Sequence, residues 1–252
     1  MDLYEKIAEI RKNKEKAVLC TVVAARGSVP RKIGAKMLVF ENLRIFGTIG
    51  GGTLEKTIIE SMPEVFKSAA PKLITYNLSK DLGMSCGGSV DIFAEPLFNS
   101  YRLYIFGAGH VGKALAKRLT GLNFDISVID GRQGIFDEWD FGGFYRINIG
   151  YDEFLADNRL DERTFVVIVT PNHLYDSEVL RICIKQPRAY LGMMGSKKKV
   201  AEIKKQFIEN GWADESELSK VDMPIGLEIA AEGPDEIAIS IAGKLILVKN
   251  NY

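Results

Sequence analysis

The chain has 252 residues, of which 46% are hydrophobic and 26% charged, with 33 Lys+Arg balancing 33 Asp+Glu. That mix is the ordinary one for a globular protein and excludes collagen-like, disordered and disulfide-stapled chains. A formal net charge of zero argues against a polynucleotide partner, which usually demands a basic excess. Cys20, Cys86 and Cys183 stand far apart with no CxxC spacing, a pattern that fits a reducing compartment. Met1-Asp2-Leu3-Tyr4-Glu5-Lys6 is charged and has no apolar signal core, and the longest apolar runs, such as residues 165–169, are only of strand length. The expectation is a cytoplasmic protein with neither a membrane nor a nucleic-acid partner.

The first element is a helix with Leu3, Ile7 and Ile10 on one face. A β-rich run follows at 17–23, then a turn around Gly27-Ser28-Val29-Pro30 and two strands at 37–40 and 45–46. Gly50, Gly51 and Gly52 open a short helix carrying Leu54, Ile58 and Ile59, which Pro63 is expected to end or kink. Strands at 73–78 and 89–94 flank Gly83-Met84-Ser85-Cys86-Gly87-Gly88. This half, residues 1–97, reads as a mixed α/β domain. Pro96-Leu97-Phe98-Asn99-Ser100 has the character of a short linker.

From residue 101 to 252 the rhythm changes. Strands at 102–106, 125–130, 144–148, 164–169 and 189–193 are interleaved with helices at 111–121, 174–185, 196–210 and 235–248. Such alternation implies a doubly wound, Rossmann-like parallel sheet with helices on both faces. The last helix is well marked by Pro234, by Asp235 and Glu236 in its first turn, and by a stripe of Ile237, Ile241, Leu245 and Val248.

Gly107-Ala108-Gly109-His110-Val111-Gly112 is a GxGxxG that follows a strand and opens a helix. Asp130 ends the next strand, about 18 residues after Gly112, as the dinucleotide fingerprint requires. Gly107 permits the tight turn, Gly109 lets a pyrophosphate approach, and Gly112 lets the helix pack closely. An acceptor at Asp130 favours NAD, whereas Arg132 beside it suits the 2′-phosphate of NADP. His110 sits inside the fingerprint, either as a phosphate contact or as an exposed residue at a helix start. His173 follows the strand at 164–169, with Asp176 three residues on. An acid–base role with Asp176 orienting the ring and a plain helix-capping segment are both open. Lys197, Lys198 and Lys199 in one first turn oppose a helix dipole, which fits a nearby anion or a solvated face.

In the first half three glycine-rich loops fall within about 65 residues, around Gly27, around Gly50, Gly51 and Gly52, and around Gly87. Glycine runs cost chain entropy, so these loops must approach something closely: a phosphate, a pterin ring or another backbone. Arg31 and Lys36 add positive charge suited to an anion. Cys86 beside two glycines reads as a reactive thiol or as a small residue in a tight turn. Cys20 and Cys183 read as core.

Taken in order, these motifs resemble the XdhC/CoxI family, the maturation factors of xanthine dehydrogenase and related molybdenum hydroxylases. The likeness runs through Gly27-Ser28-Val29-Pro30-Arg31, Ile49-Gly50-Gly51-Gly52-Thr53-Leu54-Glu55, Cys86-Gly87-Gly88, Gly107-Ala108-Gly109-His110-Val111-Gly112, Leu191-Gly192-Met193-Met194-Gly195-Ser196 and Pro224-Ile225-Gly226-Leu227. The resemblance implies a protein that binds molybdenum cofactor (molybdopterin), supports its sulfuration with a cysteine desulfurase, and delivers it to an apo-hydroxylase; whether it is a monomer or a homodimer stays open. It places Cys86 near the molybdenum or its sulfur. Many relatives carry a cysteine where this chain has Thr53, so a two-thiol mechanism does not transfer. Two other readings of the residues stand beside it: a small NAD(P)-dependent oxidoreductase, and a nucleotide-sensing interaction module. A clean Tyr-x-x-x-Lys relay is absent, and neither alternative uses the first-half glycine loops.

Overall fold

The computed structural model describes residues 2–13, 15–83, 87–98 and 101–251. Contacts divide the chain into Met1–Ser100 and Tyr101–Tyr252, and each unit has its own five-stranded sheet. Cys86 lies outside the described residues.

In the first unit α1 (Leu3–Asn13) leads into β1 (Ala17–Arg26), β2 (Lys36–Phe40), β3 (Ile45–Gly47), α2 (Gly52–Ser68), β4 (Lys72–Asn77) and β5 (Ser89–Pro96). The sheet is antiparallel, in the order β3-β2-β1-β5-β4. Central β1 sorts its side chains with a period of two. Val18, Cys20 and Val22 pack with Leu54, Ile58, Met62 and Val65 of α2. Ala17 and Leu19 join Ile10 of α1, Leu38 and Phe40 on the other face. Burial pushes the Cys20 thiol up to about 12, so it stays protonated and inert. A bulge between Val22 and Ala24 shifts the β1–β5 register just before the Gly27 turn. Beside it Val22 bonds Ala35 and Gly34, which ties the 27–35 segment back to the sheet.

Pro63 does not end α2, which runs on to Ser68. Met62 and Val65 on either side of it are buried against the sheet, whereas Pro63 faces solvent. The ring cannot donate to the Ile59 carbonyl, and the buried face outweighs that loss.

The second unit runs β6 (Tyr101–Phe106), α3 (His110–Leu119), β7 (Phe124–Ile129), β8 (Tyr145–Ile147), α4 (Tyr151–Asp157), β9 (Thr164–Ile168), α5 (His173–Cys183), β10 (Tyr190–Met193), α6 (Lys197–Glu209), α7 (Glu215–Ser219) and α8 (Gly233–Asn250). Every pairing is parallel and the order is β10-β9-β6-β7-β8. The chain starts in the middle, steps outward to β8, then returns to the other side of β6. That reversal puts a topological switch point between β6 and β9, at the carboxyl edge where open α/β sheets bind ligands.

The two inner strands are buried on both faces, as a parallel sheet requires. Leu103 and Ile105 of β6 and Phe165 and Val167 of β9 pack with α3 and α8. Tyr104, Phe106, Val166 and Ile168 point the other way, onto residues of α4, α5 and α6. Cys183 belongs to that second cluster, its thiol pushed up to about 12 by burial. The periodicity gives no warning of α4 and α7, because helices this short show too few turns to reveal a stripe. The β7–β8 crossover has no regular helix. Trp139 fills that place, 5% exposed, stacked on Phe141 and edge-on to Phe136 and Phe144. Among the described residues no helix is long and apolar enough to cross a membrane.

Pro63→Ala restores a backbone donor in an exposed helix interior. It is expected to stabilise the first unit by about 1–3 kcal/mol, the helix gain being partly offset by a freer unfolded chain. Urea unfolding of the two forms, followed by far-UV circular dichroism, checks this.

Candidate functional site

The loop from β6 to α3 holds two glycines that the fold demands and one that it does not. Gly107 has φ +113°, and a side chain there would strike the Val169 carbonyl. A side chain on Gly112 would run into the Gly107 carbonyl. Gly109 has an ordinary φ of −70° and open space where a Cβ would sit. It is the N-cap of α3, which has no side-chain cap, so the first-turn N–H groups are available to a ligand. A glycine needed by neither backbone nor neighbours is what the close approach of a pyrophosphate calls for. A nucleotide therefore fits this loop. His110 follows as the first residue of α3, exposed.

Asp130, just past the end of β7, is 1% exposed and accepts four hydrogen bonds. Its Oδ2 takes the Ala108 N–H of the glycine loop at 2.8 Å and Arg132 Nη2 at 2.7 Å. Its Oδ1 takes the Arg132 backbone N–H at 3.0 Å and Nε at 2.9 Å. Burial raises the carboxyl pKa, but the bonds from Arg132 and Ala108 outweigh it and hold the group below its ordinary value. Asp130 thus staples the glycine loop to the tip of β7 and locks the Arg132 guanidinium in a two-point pair.

Arg132 forms one wall of a cleft of ≈ 230 Å³. Gly150, Tyr151 and Asp152 at the start of α4 form another, and Tyr175 and Glu178 of α5 a third. Tyr151 and Tyr175 meet edge to face, 5.5 Å between centroids, and burial raises the Tyr151 pKa so that it remains a neutral phenol. None of these four side chains beyond Arg132 was marked by sequence reasoning. The available signal was the Ile147-to-Tyr151 stretch, with only three residues between a strand end and a helix start.

His173 is the first residue of α5 and exposed. Asp176 does not orient it. That carboxylate is buried, accepting from the Thr170 hydroxyl at 2.7 Å and pairing with Lys199. The side chain that caps α5 is Asn172, through bonds from Leu174 and Tyr175. Lys199 also donates to the Met194 carbonyl at 3.1 Å, so its charge is answered inside the protein, while Lys197 and Lys198 remain exposed.

In the first unit the three glycine loops converge on one another. A Cβ on Gly27 would lie 3.1 Å from Gly88 Cα, and one on Gly50 2.9 Å from Pro30 Cβ. Gly88 is wedged against the Arg26 and Ser28 carbonyls. Gly50, Gly51 and Gly52 all have positive φ, at 145°, 73° and 59°. The loop they form closes on Glu55, whose Oε1 accepts from the Thr48 hydroxyl, from Ile49 N–H at 3.1 Å and from Gly51 N–H at 2.9 Å. Burial works against this carboxylate, but those bonds win and depress its pKa. Gly50 N–H turns to Thr48 Oγ1 at 3.3 Å. Two of the three N–H donors of the glycine run are therefore engaged within the loop, which leaves Gly52. An acid four residues after an N-cap glycine, reaching back to its N–H, is a variant of the capping box and was the missed signal. Arg31 borders a shallow hollow of ≈ 490 Å³ with Val29, Pro30 and Lys32, while Lys36 bends onto the Gly34 carbonyl at 3.2 Å.

A parallel five-stranded sheet with a glycine loop at its switch point defines a Rossmann-type unit, here preceded by an antiparallel sheet with convergent glycine turns. The chain belongs to the XdhC family: the XdhC Rossmann domain matches residues 103–245 and the XdhC and CoxI family model matches residues 10–77. It is 34% identical to the uncharacterized protein YqeB of Escherichia coli over 257 residues, covering 100% of this chain and 47% of that protein. The chain thus spans about half the length of that relative. It is 23% identical to the E. coli molybdenum cofactor insertion chaperone PaoD, over 92% of this chain and 83% of PaoD. A crystal structure of a xanthine dehydrogenase from Bacillus halodurans superposes with a TM-score of 0.53 at 22% identity, over 100% of this chain and 96% of that one, and so shares the fold.

Two measurements check this geometry. Gly109→Ala should change stability by no more than about 1 kcal/mol, whereas Gly112→Ala should cost about 3 kcal/mol or more, since backbone must move. Asp130→Asn should destabilise by about 1–3 kcal/mol at pH 7. Because the folded pKa is depressed, the native advantage is complete above about pH 5 and shrinks as pH falls below about 4. Denaturant titrations of both proteins at pH 7 and pH 3.5 read the difference.

Proposed function

We propose that this chain is a maturation factor that holds molybdenum cofactor as cargo, supports its sulfuration and delivers it to an apo-hydroxylase. The observation that carries the reading is the convergence of the 27–31, 48–55 and 87–88 loops beside the Arg31 hollow. Family membership and the likeness to an insertion chaperone support it. Arg31 and Lys36 supply positive charge toward the cargo's phosphate, and Gly52 an N–H donor, while Gly50 and Gly51 shape the loop. Gly87 and Gly88, which follow Cys86 in the chain, reach the same convergence. Cys86 is the thiol assigned to the molybdenum or its sulfur, since Cys20 and Cys183 are buried and protonated. A cysteine desulfurase and the hydroxylase are the protein partners of this reading.

The Rossmann unit holds an adenine nucleotide, NAD(P) or a related one. Its pyrophosphate lies on Gly107, Gly109, His110 and Gly112, and its nucleoside faces the cleft beside Asp130 and Arg132.

Purification from a host that makes molybdenum cofactor should yield protein with bound pterin. The purified complex should activate an apo-hydroxylase. Cys86→Ala should fold normally, bind cargo and lose that activation. Equal cofactor binding by residues 101–252 alone, or full activation by Cys86→Ala, would refute the assignment.

A further inference from the structure

The reading of a nucleotide at the carboxyl edge of the second sheet can be taken one step further, to the chemistry of the ribose. In a Rossmann site the acid at the end of the second strand ordinarily accepts from the ribose hydroxyls. Asp130 occupies that position, yet a carboxylate has about four lone-pair sites. All four are filled, by Ala108 N–H, Arg132 N–H, Arg132 Nε and Arg132 Nη2. No acceptor remains there for a diol unless the staple on the glycine loop is broken.

Arg132 changes character for the same reason. Its Nε and Nη2 are spent on Asp130 and its charge is answered by that buried carboxylate. Its Nη1 makes no hydrogen bond among the described residues, and the side chain is 45% exposed. It offers the cleft a fixed N–H donor more than a free positive charge. Two further carboxylates line the same cleft, Asp152 and Glu178. Counting Asp130, Arg132, Asp152 and Glu178 together, the formal charge of the walls is negative. Among the described residues the other ionisable side chains lining the cleft are Tyr151 and Tyr175, and Tyr151 is kept neutral by burial.

A ribose diol needs one donor and one or two acceptors. A 2′-phosphate needs several donors and net positive charge. We propose that this cleft selects nucleotides with an unmodified ribose, the diol being read by Asp152 and Glu178 with Arg132 Nη1 rather than by Asp130, and that it turns away a 2′-phosphate. Arg132 beside the fingerprint, which by sequence suits NADP, is thereby reassigned to structure and to a single donor contact. The wall carboxylates do the discrimination by repulsion, since like-charge juxtaposition excludes a competitor without any new contact to the favoured ligand. The volume, ≈ 230 Å³, lies below the roughly 300–1,000 Å³ of drug-sized pockets and suits a nucleoside end rather than a whole dinucleotide.

Isothermal titration of the full chain with NAD and with NADP tests this, alongside Glu178→Gln and the double variant with Asp152→Asn. NAD should bind at least about tenfold more tightly than NADP, equivalent to about 1.4 kcal/mol. The double variant should lose NAD affinity several-fold, gain NADP affinity, and bring the ratio towards one. Glu178→Gln should move the ratio partway, and it alone decides the matter if the double variant melts early. NADP binding as tight as NAD in the native chain, or a ratio unmoved by neutralising Glu178, overturns the proposal while leaving nucleotide binding intact. Failure of both nucleotides to bind removes the nucleotide reading itself.

Discussion

Four N–H groups converge on the carboxylate of Asp130, and the mouth of the parallel sheet is arranged around that convergence. A buried carboxylate is costly unless its lone pairs are filled and its charge is met. Here the filling is done by groups whose positions matter. Ala108 is in the glycine loop and Arg132 on the cleft wall, so satisfying one side chain fixes both. Asn148 adds to the same corner by donating to the Asp130 and Arg132 carbonyls at 2.6 and 2.9 Å. The open face of Gly109 and the cleft beyond Arg132 keep their shape through this staple.

The first unit solves a related problem with the same chemistry. Three successive positive-φ glycines form a loop where the Ile49 and Gly51 N–H groups converge on one place, a geometry that attracts anions. Glu55 places its own carboxylate there. The anion that the glycine run appeared to await is thus partly supplied by the chain, and the loop is preformed without cargo. Gly50 and Gly51 are left with shape: Gly50 packs on Pro30 while Gly27 packs on Gly88, and these contacts bring three segments distant in sequence to one place.

Much of this was legible in the sequence, and the limits have physical causes. The strand–glycine–helix–strand–acid order fixed the Rossmann reading, because Gly107 and Gly112 answer local steric demands that spacing preserves and Gly109 keeps the loop face open. The interleaved buried strands announced a parallel sheet, and of the α8 stripe Ile241 and Leu245 are fully buried while Ile237 and Val248 are partly buried against the same cluster. What spacing does not carry is which side chain answers which. Asp176 lies one helical step from His173, but its partners are Thr170 and Lys199, the second brought in from α6. The cleft-lining Tyr151, Asp152, Tyr175 and Glu178 come from two helices that only the fold brings together. Pro63 misled because helix propensity is local, whereas the burial of Met62 and Val65 that overrides it is tertiary. Cys86 carries the functional argument from resemblance and neighbouring glycines, and lies outside the described residues.

The aromatic plug in the β7–β8 crossover has an optical consequence. The chain has two tryptophans. Trp139 is in that plug and Trp212 packs edge-on against Phe207, with Arg181 5.3 Å from its ring. Both belong to the unit from Tyr101 onward. Intrinsic emission excited at the red edge therefore follows the nucleotide-fold unit alone and is silent on the melting of the antiparallel one. An observer recording a single sharp fluorescence transition would be watching the second unit only, and the first must be followed through the ultraviolet signals of Tyr4 and Tyr76 or through its backbone.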